Sequence, residues 1–161
     1  MPIQRYPIQV NFNLSLREMI HAGKYDAVNF ISPPDQTALP APHGMVAAEV
    51  ELLTFDRDYA LPEMVAETHR RGYRPATLPE FLALGAQYPD LQKQFWILTL
   101  GSVETKRSIS FRPTLTMQEE QFIPCLFTWL GERALLAGSF DGKYRPGCCF
   151  VCVRKDVRRV R

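Results

Sequence analysis

Four cysteines are the first residues whose spacing could support chemistry. Cys149 and Cys152 form a C-x-x-C pair, with Cys148 beside them and Cys125 upstream. A zinc site needs four thiolate or imidazole ligands that converge on one point. The pair lies in an apolar stretch typical of a strand, where residues three apart point to opposite faces. We therefore interpret all four as buried structural thiols and predict neither a metal nor a cofactor; a metal or redox role is the less favoured alternative.

A second set, His43, Asp56 and Ser102, has the residue types of a base, an acid and a nucleophile. His43 lies in a proline-rich segment, Asp56 follows a predicted strand, and Ser102 follows an apolar run. Ser102 lacks the G-x-S-x-G frame of a nucleophile elbow. The set predicts a hydrolase or transferase only if distant parts of the chain meet in one pocket. Whether the protein is an enzyme stays open, and the sequence favours a protein that is not.

Acidic residues near Asp56 suggest a further alternative, a site for a divalent cation. Asp56 and Asp58, with Glu49 or Glu51 nearby, have oxygen ligands of the kind that divalent cations prefer. Asp58 also precedes a predicted helix, where an aspartate commonly caps the helix start. We favour the capping and turn roles over a cation site.

Basic residues cluster at the end of the chain: Arg154, Lys155, Arg158, Arg159 and Arg161, opposed only by Asp156. Such a tail, helped by Arg107, Arg112 and Arg133, could contact the phosphates of a nucleic acid. The net charge of +2 gives this hypothesis no independent support. Association with nucleic acid is therefore an alternative to a solvated terminus, and it is not favoured.

The elements that must position these residues are clearest between residues 72 and 100. Thr77 and Glu80 have the spacing of a capping box and predict a helix start, as do Ser15 and Glu18 earlier in the chain. The continuous apolar run 95–100 is typical of a central strand covered on both faces.

Strand patterns dominate after residue 95. The segments 122–130, 133–140 and 148–154 are apolar and β-rich, and short turn-like segments join them. The predicted fold class is α+β, with helices mainly in the N-terminal half and an antiparallel sheet built largely from the C-terminal half. We expect one globular domain over 1–161, with a proline-rich loop at 32–44 and a basic tail at 154–161.

Three short segments resemble a family of uncharacterised bacterial proteins. They read GYRPATL at 72–78, LGS at 100–102 and VRK at 153–155, and the resemblance covers about the C-terminal two thirds of the chain. The matching positions are Arg74, Pro75, Thr77, Gly101, Ser102, Arg154 and Lys155. The resemblance implies a family label and no activity, cofactor or catalytic residue.

Composition sets the remaining limits. Apolar residues make up 46% of the 161 residues and charged residues 22%, as in ordinary globular proteins. We expect a cytoplasmic protein without a membrane anchor or a secretory signal. A non-enzymatic binding or interaction module is the favoured function, with a homodimer or another protein as partner. The residues predicted to make contacts are His43, Arg74, Arg154, Lys155, Arg158 and Arg159.

Overall fold

The computed structural model describes residues 4–29, 43–102, 104–110, 114–139 and 147–155. Nine strands and four helices lie in these ranges. In chain order they are β1 (Arg5–Asn11), α1 (Leu16–Ala22), β2 (Ala27–Asn29), β3 (Met45–Leu53), α2 (Leu61–Arg70), β4 (Tyr73–Pro75), α3 (Leu78–Gln87), α4 (Leu91–Gln94), β5 (Trp96–Leu98), β6 (Glu104–Ser110), β7 (Thr116–Trp129), β8 (Glu132–Ser139) and β9 (Cys148–Arg154).

All nine strands join one sheet. Seven follow the order β1-β3-β9-β5-β7-β8-β2, while β4 pairs with the end of β9 and β6 with the first part of β7. The fold class is α+β, as predicted. The prediction of an antiparallel sheet is corrected: β5 and β9 pair parallel, as do β2 and β8, so the sheet is mixed. The cause is β9, which inserts between β3 and β5 instead of continuing the β7–β8 hairpin.

The sheet is buried on both faces near its centre. On one face, Ile97 of β5 and Val151 of β9 pack with α3 side chains such as Phe81. On the other, Leu98 and Phe150 pack with α2. Continuous apolar runs are what a strand covered on both faces requires. A central strand does lie within the predicted segment 95–100, but it is shorter than predicted, Trp96–Leu98, and Trp96 at its start is 46% exposed.

Both predicted capping boxes are present. Glu18 N–H donates to Ser15 Oγ at 3.1 Å, and Ser15 N–H donates to Glu18 Oε1 at 3.1 Å. Thr77 and Glu80 repeat the arrangement at the start of α3, where Thr77 N–H donates to Glu80 Oε1 at 2.9 Å. Each box satisfies backbone N–H groups that have no partner within the helix.

The described helices are at most 10 residues long. A helix needs about 20 apolar residues to cross a lipid bilayer. Among the described residues, no helix meets the requirement for a membrane span.

Candidate functional site

A cavity of about 370 Å³ opens beside the end of β3 and is the candidate site. Its wall combines aromatic and apolar side chains with a carboxylate, a guanidinium and two thiols. The residues that line it are Gln4, Tyr6, Glu51, Leu52, Leu53, Thr54, Arg71, Tyr73, Phe95, Cys149 and Cys152. A volume of this size is at the small end of the range in which proteins hold small molecules.

Glu51 is the residue that sets this cavity apart. Its side chain is only 4% exposed. Oε1 lies 3.2 Å from Arg5 Nε and 3.6 Å from Arg154 Nη2. Oε2 is buried and has no hydrogen-bond partner among the described residues. Buried polar atoms in folded proteins are nearly always hydrogen-bonded, so an unpartnered carboxylate oxygen beside a cavity needs an explanation.

Strand alternation places Glu51 and its neighbours on one face. Val50 packs into the core on the α3 side, so Glu51 faces the α2 side. Arg5 of β1 and Cys152 of β9 lie directly opposite Glu51 on the two flanking strands. Arg154 lies two residues beyond Cys152 on the same face, which brings its guanidinium diagonally to the carboxylate.

A tight turn positions two further residues of the site, Arg71 and Tyr73. Gly72 has φ of +89°, a value that favours glycine, and it joins the end of α2 directly to β4. On one side of the turn, Arg71 Nη1 donates to the carbonyl of Thr54 at 3.0 Å and so ties α2 to the end of β3. On the other side, Tyr73 pairs with Arg154 in the sheet, and the Arg154 guanidinium lies 5.7 Å from the Tyr73 ring centroid.

The groups in the site that could act as nucleophiles or bases favour their neutral forms. Hydrogen bonding to the Glu51 carboxylate, and then burial, raise the pKa of Tyr73. Burial, and then Glu51, raise the pKa of the Cys152 thiol to about 12, and burial raises that of Cys149 to about 11. The Cys152 thiol donates to the backbone carbonyl of Glu51 at 3.4 Å. At neutral pH these groups are therefore protonated, whereas a nucleophilic cysteine needs its thiolate.

The structure does not bring together His43 and Asp56. His43 precedes β3 and Asp56 follows it. The nine-residue strand between them spans about 26 Å, because each residue adds about 3.3 Å. Ser102 follows β5, and five cavities on the described part of the chain are each lined by residues other than these three. His43 is exposed beside Gly44, whose N–H donates to Asn13 Oδ1 at 3.1 Å.

Arg74, predicted as a contact residue, is engaged within the fold. Its Nη1 and Nη2 donate to the two carboxylate oxygens of Glu80 at 2.8 and 3.0 Å. The Glu80 side chain is buried, so the pair fixes β4 to the start of α3. A bidentate arginine–carboxylate pair of this kind holds both side chains in one geometry.

The predicted basic surface divides into three groups. Arg154 belongs to the Glu51 site, and the Lys155 N–H donates to the carbonyl of Gly72 at 2.9 Å. Arg133 bridges two helix ends, since its guanidinium donates to the carbonyls of Gly23 and Gly85. The other predicted members, Arg112, Arg158, Arg159 and Arg161, lie outside the described residues, as does the side chain of Arg107.

The cysteine prediction agrees with the structure in one respect. All four cysteines are buried and form no disulfide, as expected for structural residues. Cys148 and Cys149 follow one another in β9, so they point to opposite faces of the sheet. In the described ranges, no cluster of three or more histidine, cysteine or acidic side chains could hold a metal ion.

Sequence reasoning named Glu51 only as a possible neighbour of Asp56 and missed its burial; in the structure it shares one face of β3 with Glu49. A signal was present: the same face continues into Leu53 and Phe55, which pack into the α2 side of the core. A glutamate in line with buried apolar residues is a candidate for a buried carboxylate. The arginines beside it come from β1 and β9, and no local pattern indicates that these strands flank β3.

No protein-family model, curated protein or solved structure matches the chain.

Proposed function

We propose that this protein is a non-enzymatic binding module that holds a small ligand in the cavity beside Glu51. The observation that carries the proposal is the buried, unpartnered Oε2 of Glu51, on a side chain that lines this cavity. An unpartnered buried acceptor lowers stability unless a ligand supplies a donor, so its presence is expected where binding satisfies it.

The chemistry of the wall supports binding over catalysis. Tyr73, Cys149 and Cys152 have raised pKa values and stay protonated near neutral pH. An efficient general acid or base has a pKa near the working pH. Free buried thiols also fit a reducing compartment, which agrees with a cytoplasmic location.

A thermal-shift screen of a small-molecule library tests the proposal. A ligand at 100 times its Kd stabilises the protein by about 2.7 kcal/mol. For a chain of this size we expect the melting temperature to rise by roughly 5–10 °C. Each compound that stabilises the wild type is then tested on Glu51→Gln and on Glu49→Gln, and is recovered afterwards for mass spectrometry.

Glu49 is the matched control, because it lies on the same face of β3 and also pairs with Arg5, at 3.5 Å from its Nε, but does not line the cavity. We expect stabilisation to disappear in Glu51→Gln, to persist in Glu49→Gln, and the compound to be recovered unchanged. Compounds that stabilise all three proteins equally would show that binding, where it occurs, is elsewhere. Chemical conversion of a ligand by the wild type alone would instead make the protein an enzyme.

A second candidate, a protein-interaction surface, has its own observation. Odd-numbered residues of β7 share one face of the sheet, and at the end of the strand this face carries Phe127 and Trp129. Trp129 is 66% exposed, and Trp96, whose ring lies tilted against that of Phe127 at 5.3 Å between centroids, is 46% exposed. Exposed aromatic side chains on one face are typical of sites that bind other proteins.

Light scattering tests this second candidate. If the face joins two copies of the chain, the wild type is a dimer and Trp129→Lys is a monomer. Val46→Lys, an exposed apolar position on β3, serves as the control and should keep the wild-type mass. A wild type that is monomeric at all concentrations would remove the homodimer, and only a different protein partner would then fit this surface.

A further inference from the structure

We infer that a second cavity, beside the end of α1, binds a small soluble phosphate monoester that carries an apolar group. The cavity has a volume of about 600 Å³ and shares no lining residue with the Glu51 cavity. Its wall includes three basic side chains, Arg17, His21 and Lys24, and three apolar surfaces, those of Ile20, Tyr25 and Val28. The site is therefore independent of the ligand proposed for Glu51.

The basic side chains of this wall favour a phosphate. Arg17 and His21 are four residues apart and share one face of α1, and Lys24 follows the helix. Among the described residues, neither Arg17 nor Lys24 has an ion-pair partner. A phosphate monoester carries a charge of about −1.5 to −2 and three acceptor oxygens, whereas a carboxylate carries one charge. A guanidinium binds two such oxygens at once, so Arg17 suits this ligand.

The negative groups beside the cavity already have partners. The carboxylates of Glu18 and Asp26 each accept a hydrogen bond from a backbone N–H, at 3.1 and 2.8 Å. The end of a helix carries partial negative charge on its unpaired carbonyls, which repel an anion. Here the carbonyl of His21 accepts from a backbone N–H at 3.1 Å, and that of Gly23 accepts from the Arg133 guanidinium at 2.7 Å. The end of α1 therefore offers little opposition to an anion.

Tyr25 gives the wall a fixed and uncharged apolar surface. Its ring packs so closely against Gly23 and Gly85 that a Cβ atom at either glycine would overlap it. Burial raises the pKa of Tyr25 to about 12, so the phenol carries no charge at neutral pH. Val28, in the same wall, is 49% exposed. An apolar group on the ligand would cover this surface and gain from its burial.

Lys24 has a backbone conformation that favours glycine. Its φ is +50°, and it directly follows Gly23, the residue that ends α1. Helices commonly end with a glycine at this left-handed position. A lysine there lowers stability, and residues in such conformations are frequent at ligand sites. We attribute the lysine to its charge, which faces the cavity wall shared with Arg17 and His21.

Four probes separate the parts of the ligand. Phenyl phosphate has both the phosphate and the ring, inorganic phosphate lacks the ring, phenol lacks the charge, and benzoate replaces phosphate by a carboxylate. Isothermal titration calorimetry at low salt gives the dissociation constant of each probe. We expect phenyl phosphate to bind about tenfold more tightly than each of the other three.

Variants of the wall test the site. Arg17→Gln and Lys24→Gln should each weaken the binding of phenyl phosphate about tenfold. Lys93→Gln, at a half-exposed lysine of α4 that does not line the cavity, is the control and should bind like the wild type. Lys24→Gly should weaken binding and yet raise the melting temperature by about 2 °C or more, because glycine relieves the backbone strain.

The possible outcomes differ in what they overturn. Unchanged binding of phenyl phosphate in Arg17→Gln, Lys24→Gln or Lys24→Gly would overturn the site, as would no binding of any probe at millimolar concentration. Binding of benzoate, inorganic phosphate or phenol as tight as that of phenyl phosphate would overturn the ligand class. Sedimentation with phosphatidylcholine vesicles that contain phosphatidate, without binding of phenyl phosphate, would make the ligand a lipid headgroup and overturn a soluble one. Each of these results would leave the proposed function at Glu51 standing.

Discussion

The side chain of Gln87 bonds to both backbone groups of Gln9. Gln87 Nε2 donates to the Gln9 carbonyl at 2.7 Å, and the Gln9 N–H donates to Gln87 Oε1 at 3.0 Å. The Tyr88 hydroxyl donates to the carbonyl of Pro7 at 2.7 Å on the same strand. Gln9 and Pro7 belong to β1, the strand at one edge of the sheet. The end of α3 thus occupies an edge that would otherwise be open to another strand.

Replacing Gln87 by alanine should weaken the fold and free this edge. Two hydrogen bonds are lost, each worth about 0.5–1.5 kcal/mol. We expect the free energy of unfolding in urea to fall by about 1–2 kcal/mol and self-association to increase at high protein concentration. Gln94→Ala, at an exposed position on α4, is the control and should change neither quantity. Equal behaviour of the two variants would show that the amide of Gln87 does not protect the edge.

The Arg74–Glu80 pair should contribute more to the free energy of unfolding than a surface ion pair does. Removal of Arg74 leaves the buried Glu80 carboxylate without its guanidinium partner. We expect Arg74→Ala to lower the free energy of unfolding by about 2–3 kcal/mol at pH 7. Arg70, which pairs with Glu67 on the exposed side of α2, is the control. Arg70→Ala should lower the free energy of unfolding by about 1 kcal/mol or less.

The pH dependence of the same variant follows from Glu80. Burial raises the pKa of Glu80, but hydrogen bonds from Arg74 and Thr77 outweigh it and leave the pKa below its usual value. A carboxyl group whose pKa is lower in the folded state stabilises the fold at pH values above its unfolded-state pKa of about 4.3. This stabilisation is lost as the pH falls through the folded-state pKa. The difference between wild type and Arg74→Ala should therefore be full at pH 7 and shrink below about pH 4. A difference that stays constant from pH 7 to pH 3 would exclude this ionic contribution.

Local patterns predicted the local structure well. The capping boxes at Ser15 and Thr77 and the central strand near Ile97 depend on neighbouring residues alone, so the sequence contains what is needed to predict them. The parallel pairing of β5 with β9 joins residues that are about 50 positions apart. Pairing at that range depends on the packing of the whole chain, which no local pattern indicates.

The candidate site illustrates the same limit. Glu51 receives Arg5 from β1 and Arg154 from β9, strands that flank β3 only in the folded sheet. The sequence predicted Arg154 as a contact residue because of the basic tail, but not its partner. Arg74 was expected to face a ligand, yet its partner Glu80 lies six residues away on α3. Residue type and position indicated which side chains take part in interactions, while topology decided with which partners.

Gly101, which follows β5, packs closely against the backbone of Ala76, and a substitution there tests this contact. A Cβ atom at Gly101 would lie 2.0 Å from the carbonyl oxygen of Ala76, which also accepts a hydrogen bond from Thr99 Oγ1 at 2.5 Å. Because the obstacle is backbone, we expect Gly101→Ala to lower the free energy of unfolding by about 3 kcal/mol or more. At Gly138 the nearest atom would be 3.9 Å away, so Gly138→Ala should stay within about 1 kcal/mol of the wild type. Similar values for both variants would contradict this close approach.

Two buried glutamates distinguish a binding residue from a structural one. Both carboxylate oxygens of Glu80 are hydrogen-bonded, so Glu80→Gln should cost about 2–3 kcal/mol of stability. Glu51 has one unpartnered oxygen and two half-exposed arginines, each worth about 1 kcal/mol at most. Relief of the unpartnered charge offsets that loss, and Glu51→Gln should remain within about 1 kcal/mol of the wild type without ligand. Urea unfolding of both variants measures the contrast. A loss of more than about 2 kcal/mol in Glu51→Gln would show that its carboxylate stabilises the sheet and would remove the main support for a ligand site.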